Sequence, residues 1–106
     1  MKKEETKFKE RIYPQLRSLP KTWVKKIQLV GLRGIPDFLL CINSTFVAIE
    51  LKVEADLEEL QEWNLKEIQK AGGVGLIVTP DNWETAYAFL HAIAVEGLEI
   101  AKQKFH

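Results

Sequence analysis

Three residues near the middle of the chain place two acids and a base at a spacing that suits metal-assisted chemistry. Asn43-Ser44 separates two apolar, strand-like segments, and a tight turn there pairs residues whose numbers add to 87. Asp37 then lies directly opposite Glu50, with Cβ atoms about 4.5–5.5 Å apart, where like charges repel and raise the pKa of the pair. Lys52 follows Glu50 by two residues and therefore points to the same face of the sheet.

A divalent cation removes this repulsion, because Mg²⁺, with Mn²⁺ as a substitute, prefers hard oxygen ligands. Such a cation polarises a phosphoryl oxygen and lowers the pKa of a bound water, and a nearby ammonium stabilises charge on the phosphate. Asp37, Glu50 and Lys52 are therefore candidates for the centre of a phosphodiester hydrolase. The alternative is a solvated strand end that carries an ordinary Lys-Glu pair.

The hydropathy pattern predicts seven elements in the order α-β-β-β-α-β-α that would position this pair. We expect helices over 3–17, 57–70 and 82–104, and strands over 23–30, 36–42, 45–53 and 74–78. Asp56 is the predicted N-cap of the second helix, with Glu59 completing a capping box, and Gly97 marks a kink or break in the last helix. The passage from 45 to 78 has the length of a right-handed crossover, which predicts one parallel pair in an otherwise antiparallel α/β sheet.

Composition and charge narrow the class of protein further. The 106 residues fit a single domain over 1–106, and a 46% hydrophobic content is enough for a core. The one cysteine, Cys41, is expected in that core and excludes a disulfide framework, and no apolar run is long enough to span a bilayer.

The charge is divided unevenly along the chain. Residues 1–36 carry ten Lys or Arg against three Glu, whereas residues 37–106 carry five Lys against twelve acids. The basic first third is suited to contact with a polyanion, although two solvated helices that differ in charge would look the same.

A family resemblance rests on two short motifs and their order. Gly34-Ile35-Pro36-Asp37 and Ile49-Glu50-Leu51-Lys52 resemble the motifs of the PD-(D/E)XK nuclease superfamily, and the run from Arg33 together with Gln61 is most similar to its VRR-NUC group, the virus-type replication-repair nucleases. The resemblance implies a restriction-endonuclease-like αβββαβ core, with a small mixed sheet flanked by helices and followed by a C-terminal helix. It also implies metal ligation by Asp37, Glu50 and the Leu51 carbonyl, a catalytic Lys52, and Gln61 close to the active site.

The resemblance further implies a glutamate on the first helix at the metal site. Glu4, Glu5 and Glu10 compete for this role, and Glu10 is favoured because it lies closest to Phe8 and Ile12. A register that falls on Lys9 instead would mean that this ligand is displaced or absent.

Other residues are candidates for contact with DNA. Arg33 flanks the motif and is suited to a phosphate, and the bases Lys21, Lys25 and Lys26 are suited to a DNA track. The tryptophans Trp23, Trp63 and Trp83 could stack on bases, but packing in a core or an interface is the favoured interpretation.

The expected function is therefore a Mg²⁺-dependent endodeoxyribonuclease of phage or prophage type, in the cytoplasm of a bacterial host. By the same resemblance we expect a homodimer that acts on branched or junction DNA, helped by an excess of apolar residues on the last helix. Two alternatives stay open, a nucleic-acid-binding module on a nuclease fold without cleavage and a purely structural subunit.

Overall fold

The protein is an α/β domain with a small mixed four-stranded sheet flanked by helices, as the sequence predicts. A computed structural model describes residues 3–28, 33–53 and 58–105. The elements in chain order are α1 (Lys3–Arg17), β1 (Thr22–Lys26), β2 (Phe38–Ile42), β3 (Thr45–Leu51), α2 (Glu59–Lys70), β4 (Val74–Val78), α3 (Trp83–Glu96) and α4 (Leu98–Lys104). The strands follow chain order across the sheet, with β1, β2 and β3 antiparallel and β4 parallel to β3.

The β2–β3 hairpin has the register that a turn at Asn43-Ser44 predicts. Both turn residues have positive φ, 46° and 68°, as in the type I′ turns whose twist matches that of the flanking strands. Phe38 pairs with Ile49, and the register continues in step to the turn. The Asn43 side chain donates to the carbonyl of Ile93 at 3.1 Å, which ties the turn to α3.

One face of the sheet forms the core. Alternate residues of β2 and β3 are fully buried there, because successive side chains in a strand point to opposite faces. Helix α1 packs on this face through Phe8, Ile12 and Leu16, and α3 packs through Leu90 and Ile93.

The opposite face is only half covered, and this placement corrects one prediction. Helix α2 packs closely on β4, since a Cβ added at Gly75 would lie 3.1 Å from the carbonyl oxygen of Leu65. The same face of β1 and β2 carries the exposed side chains of Trp23 and Cys41. The prediction that Cys41 belongs to the core is therefore wrong, because its side chain is exposed on this half-covered face of the sheet.

Several element boundaries also differ from the prediction. Helix α2 begins at Glu59, with Glu58 as N-cap in a capping box with Gln61, while the predicted N-cap Asp56 lies outside the described residues. The break predicted at Gly97 is confirmed, since the predicted last helix is divided there into α3 and α4 by a φ of +92°. The strand predicted over 23–30 ends at Lys26, and residues 29 and 30 lie outside the described residues. The strand predicted over 36–42 begins only at Phe38, and the strand predicted over 45–53 ends at Leu51. Among the described helices, none is long and apolar enough to cross a membrane.

Candidate metal-dependent active site

Two carboxylates meet where the β2–β3 hairpin ends. Phe38 and Ile49 form the last pair of the ladder, so Asp37 precedes it on one strand and Glu50 follows it on the other. Glu50 is only 3% exposed and is the one charged residue that is buried among those described. A buried carboxylate is costly unless it is paired, so its surroundings decide what this end of the sheet can do.

Asp37 is held from two sides. Its Oδ2 accepts a hydrogen bond from the backbone N–H of Leu51 at 2.8 Å. Its Oδ1 lies 3.1 Å from Nζ of Lys9, which reaches it from α1 and also lies 3.4 Å from the carbonyl of Ile27. These contacts give Asp37 a fixed position and a positive partner.

Glu50 has weaker compensation for its charge. Nε2 of Gln61 donates to its Oε2 at 2.7 Å, and Nζ of Lys52 lies 3.9 Å from the same oxygen, beyond hydrogen-bond distance. Burial raises the pKa of Glu50 to about 8, the charges of Asp37 and Glu5 add to this rise, and Lys52 opposes it. The raised pKa favours the protonated carboxyl, and an additional positive charge would favour the ionised form.

Gln61 connects the acid pair to the start of α2. Its Oε1 accepts a hydrogen bond from the backbone N–H of Glu58 at 3.0 Å, as part of the capping box. With the oxygen engaged there, the amide nitrogen faces Glu50. The side chain therefore orients one acid of the pair while it also caps the helix.

The loop before Asp37 is held against α2 at Gly34. Nδ2 of Asn64 donates to the Gly34 carbonyl at 2.7 Å, and a Cβ at Gly34 would lie 2.6 Å from Cγ of Leu60. Its φ of +76° is in the region that favours glycine. Glycine is thus required for the loop to approach α2, and the buried Pro36 then leads into Asp37.

The first helix contributes different residues from the one favoured by the sequence. Glu10 is exposed, and among Glu4, Glu5 and Glu10 it is Glu5 whose charge contributes to the raised pKa of Glu50. Lys9 lies one turn after Glu5 and contacts Asp37 directly. Sequence reasoning named Lys9 only as an alternative register. A stronger signal was its position three residues before the buried Ile12, on the same side of the helix.

The predicted DNA-contacting bases do not form a single track. Lys21 and Lys25 are exposed, but Lys26 points to the core side of the sheet, with Nζ 5.4 Å from the centre of the Tyr13 ring. Nη2 of Arg33 lies 3.3 Å from Oε2 of Glu58, at the start of α2. An ion pair between exposed side chains contributes little to stability, so this arginine can exchange partners at small cost.

The oxygen ligands at this site suit a cation whose remaining coordination positions are filled by water and substrate. Within residues 3–28, 33–53 and 58–105, no three His, Cys, Asp or Glu side chains are grouped to hold a metal. Asp37 and Glu50 supply carboxylate oxygens, and the Leu51 carbonyl lies on the same side of β3 as the N–H that bonds Asp37. Mg²⁺ is commonly bound by one or two carboxylates together with waters and substrate phosphates, so these residues fit it. The raised pKa of Glu50 is consistent with that fit, because a cation would stabilise the ionised carboxylate.

Comparison of the chain with protein-family models, curated proteins and solved structures found no match.

Proposed function

We propose that this protein is a Mg²⁺-dependent endodeoxyribonuclease, with the restriction-endonuclease-like core of the VRR-NUC group of PD-(D/E)XK nucleases. The observation that carries the proposal is the buried Glu50 opposite Asp37, with Lys52 on the same face of the sheet. Neither fold nor stability requires a carboxylate with a raised pKa at this place. The element order of α1, three antiparallel strands, α2 and a parallel β4 supports the same proposal.

The proposed roles follow from the contacts of each side chain. Asp37, Glu50 and the Leu51 carbonyl would hold Mg²⁺, which when bound polarises a phosphoryl oxygen and lowers the pKa of water. Gln61 keeps Glu50 in position through its 2.7 Å hydrogen bond. Lys52 is largely buried, and its ammonium lies 3.9 Å from Glu50, where it would orient the attacking water or stabilise charge on the phosphate.

The proposed substrate is DNA. The exposed bases Lys21, Lys25 and Arg33 would contact phosphates, while Lys26 would contribute only to the general positive field of the first third of the chain. A branched or junction substrate, a phage or prophage origin and a bacterial cytoplasmic location belong to the proposal through the family resemblance.

A homodimer belongs to the proposal as well. Exposed apolar side chains from β4 to the end of α4 and just beyond it would suit a contact between two copies, namely Ile77, Val95, Ile100 and Phe105. Sedimentation equilibrium measures this, and a monomer at about 100 μM would remove the dimer from the proposal while leaving the active site unaffected.

One contact favours a second function, a nucleic-acid-binding module without cleavage. Lys9 already supplies a positive charge to Asp37 at 3.1 Å, on an oxygen that a metal would use. If this ammonium replaces the metal permanently, the chain would bind DNA but not hydrolyse it.

Cleavage with matched variants distinguishes the two functions. The protein is incubated with Mg²⁺ or Mn²⁺ and a panel of linear, flapped and four-way DNA, beside Glu50→Gln and the control Glu62→Gln on the exposed side of α2. The nuclease proposal requires cleavage by the wild type and the control but not by Glu50→Gln. DNA binding without cleavage, together with no heat of Mn²⁺ binding, would support the binding module.

A further inference from the structure

An exposed aromatic side chain lies on the uncovered face of β1 and β2. Trp23 is 60% exposed, and across the sheet it pairs with the exposed Cys41, which pairs in turn with Phe46, itself 45% exposed. Helix α2 packs on the β3–β4 side of this face, and the exposed ring of Trp23 lies on the side of β1. We call Trp23, Lys25, Cys41 and Phe46 the Trp23 face.

The Trp23 face leads along β2, past the half-buried Leu39, toward the acid pair. The side chains of Asp37, Leu39 and Cys41 point to the same side of β2. Because Trp23 pairs with Cys41, it lies four residues along the strand from Asp37. At about 3.3 Å per residue this separation is about 13 Å. Lys25 pairs with Leu39 and is exposed, so it lies between the two ends of this surface.

The charge of the Trp23 face indicates which class of ligand it would bind. Lys25 lies on the face and the exposed Lys21 directly precedes β1, while the described strand residues between Asp37 and Trp23 on this side include no acid. A ligand that satisfies both the lysines and the flat apolar ring carries phosphates and aromatic rings. Unpaired nucleotides have both, whereas bases inside a duplex are already stacked on each other.

Trp63 provides an internal comparison on α2. It is 56% exposed, almost as much as Trp23, but Glu59 lies one turn before it and Glu67 one turn after it. Its other neighbour, Glu62, forms an ion pair with Lys66 at 3.1 Å. Glu67 likewise pairs with Lys70 at 3.2 Å, so the two lysines near Trp63 are already matched by acids. These surroundings disfavour a phosphate backbone, so exposure alone does not make a nucleotide site.

We propose that the Trp23 face binds an unpaired strand of the substrate, with a base stacked on Trp23 and phosphates beside Lys21 and Lys25. This inference rests on the proposed function for the identity of the substrate, and it deepens it. The substrate would be DNA with a single-stranded segment, such as a flap or an open junction arm. The stacked base would lie a few nucleotides from the phosphate at the acid pair.

Binding measured without divalent cation tests this proposal independently of cleavage. Fluorescence anisotropy in EDTA compares a labelled oligothymidylate of about 12 nucleotides with a duplex of the same length. We expect Trp23→Ala to weaken single-strand binding by about 5- to 100-fold and to leave duplex binding within about twofold. Trp23→Phe should retain most of the affinity because it keeps an aromatic ring.

Trp63→Ala is the matched control and should change neither affinity. Equal losses on single strand and duplex, or a loss with Trp63→Ala as large as with Trp23→Ala, would overturn the proposal. A Trp23→Ala protein that sediments as a smaller species than the wild type but binds DNA normally would show that a second copy covers this face, which also overturns it. Circular dichroism and thermal unfolding confirm that each variant is folded.

The two proposals fail in different ways. Single-strand binding that depends on Trp23, without cleavage of any DNA in Mg²⁺ or Mn²⁺, leaves this inference standing and removes the nuclease. Cleavage that Trp23→Ala reduces equally on flapped and fully paired DNA leaves the nuclease standing and removes this inference.

Discussion

Replacing Glu50 by Gln should make the stability of the protein much less dependent on pH. The substitution removes the buried ionisable group but keeps its shape, and the new amide oxygen can still accept the hydrogen bond from Gln61. Since the titrating groups outside the acid pair are common to both proteins, the difference in unfolding free energy between Glu50→Gln and wild type reports Glu50 together with its interaction with Asp37.

The sign and size of the effect follow from the raised pKa. Folding raises the pKa of Glu50 from 4.5 to about 8, so between these values the folded state holds a proton that the unfolded state releases. Wild-type stability therefore falls as the pH rises through this window, by at most about 1.4 kcal/mol per pH unit. Across the whole window the ceiling is about 5 kcal/mol. The stability advantage of Glu50→Gln should grow from its smallest value near pH 4.5 to a plateau above pH 8.

Urea unfolding from about pH 5 to about pH 9 measures this difference. Glu62→Gln serves as the control, because Glu62 is exposed and its curve should run parallel to that of the wild type. Saturating Mn²⁺ at about pH 8 should stabilise the wild type more than Glu50→Gln, since a cation favours the ionised carboxylate. If the unfolding free energies of Glu50→Gln and wild type depend on pH in the same way, burial does not raise the pKa of Glu50.

Three further substitutions test the surroundings of the pair. Lys9→Met should lower the unfolding free energy by about 1–3 kcal/mol, because it leaves Asp37 without its ion-pair partner. The same variant should bind Mn²⁺ more tightly in calorimetry, because the cation no longer competes with an ammonium. Weaker Mn²⁺ binding would contradict this prediction. Lys52→Ala should retain Mn²⁺ and DNA binding but slow single-turnover cleavage by about 10²–10³-fold, and a parallel loss of metal affinity would show that Lys52 only positions the carboxylates. Gly34→Ala should destabilise the fold by more than about 1 kcal/mol in urea unfolding. The new Cβ would lie 2.6 Å from Leu60, and the φ of +76° is unfavourable for alanine. An unchanged unfolding midpoint would mean that the loop moves freely.

The β2–β3 hairpin and its acid pair were predictable because they depend on local interactions. A two-residue turn and the alternation of strand side chains suffice to place Asp37 opposite Glu50 and Lys52 beside it. The order of helices and strands followed in the same way from hydropathy over short segments.

The start of α2 was predicted two residues too early, because the sequence contains two overlapping capping patterns. Asp56 with Glu59 and Glu58 with Gln61 have the same spacing. In the folded chain the amide oxygen of Gln61 caps the helix, and its amide nitrogen donates to Glu50. Glu50 is eleven residues away along the chain, so no pattern within the helix contained this preference.

What the sequence by itself determined is therefore the order of the elements, the hairpin register and the face that Asp37, Glu50 and Lys52 share. Tertiary structure alone decided that Lys9 meets Asp37 from 28 residues away and that α2 leaves Trp23 and Cys41 uncovered. The physical reason is that strand alternation tells which residues lie together on a face, whereas the burial and charge of that face depend on how distant helices pack over it.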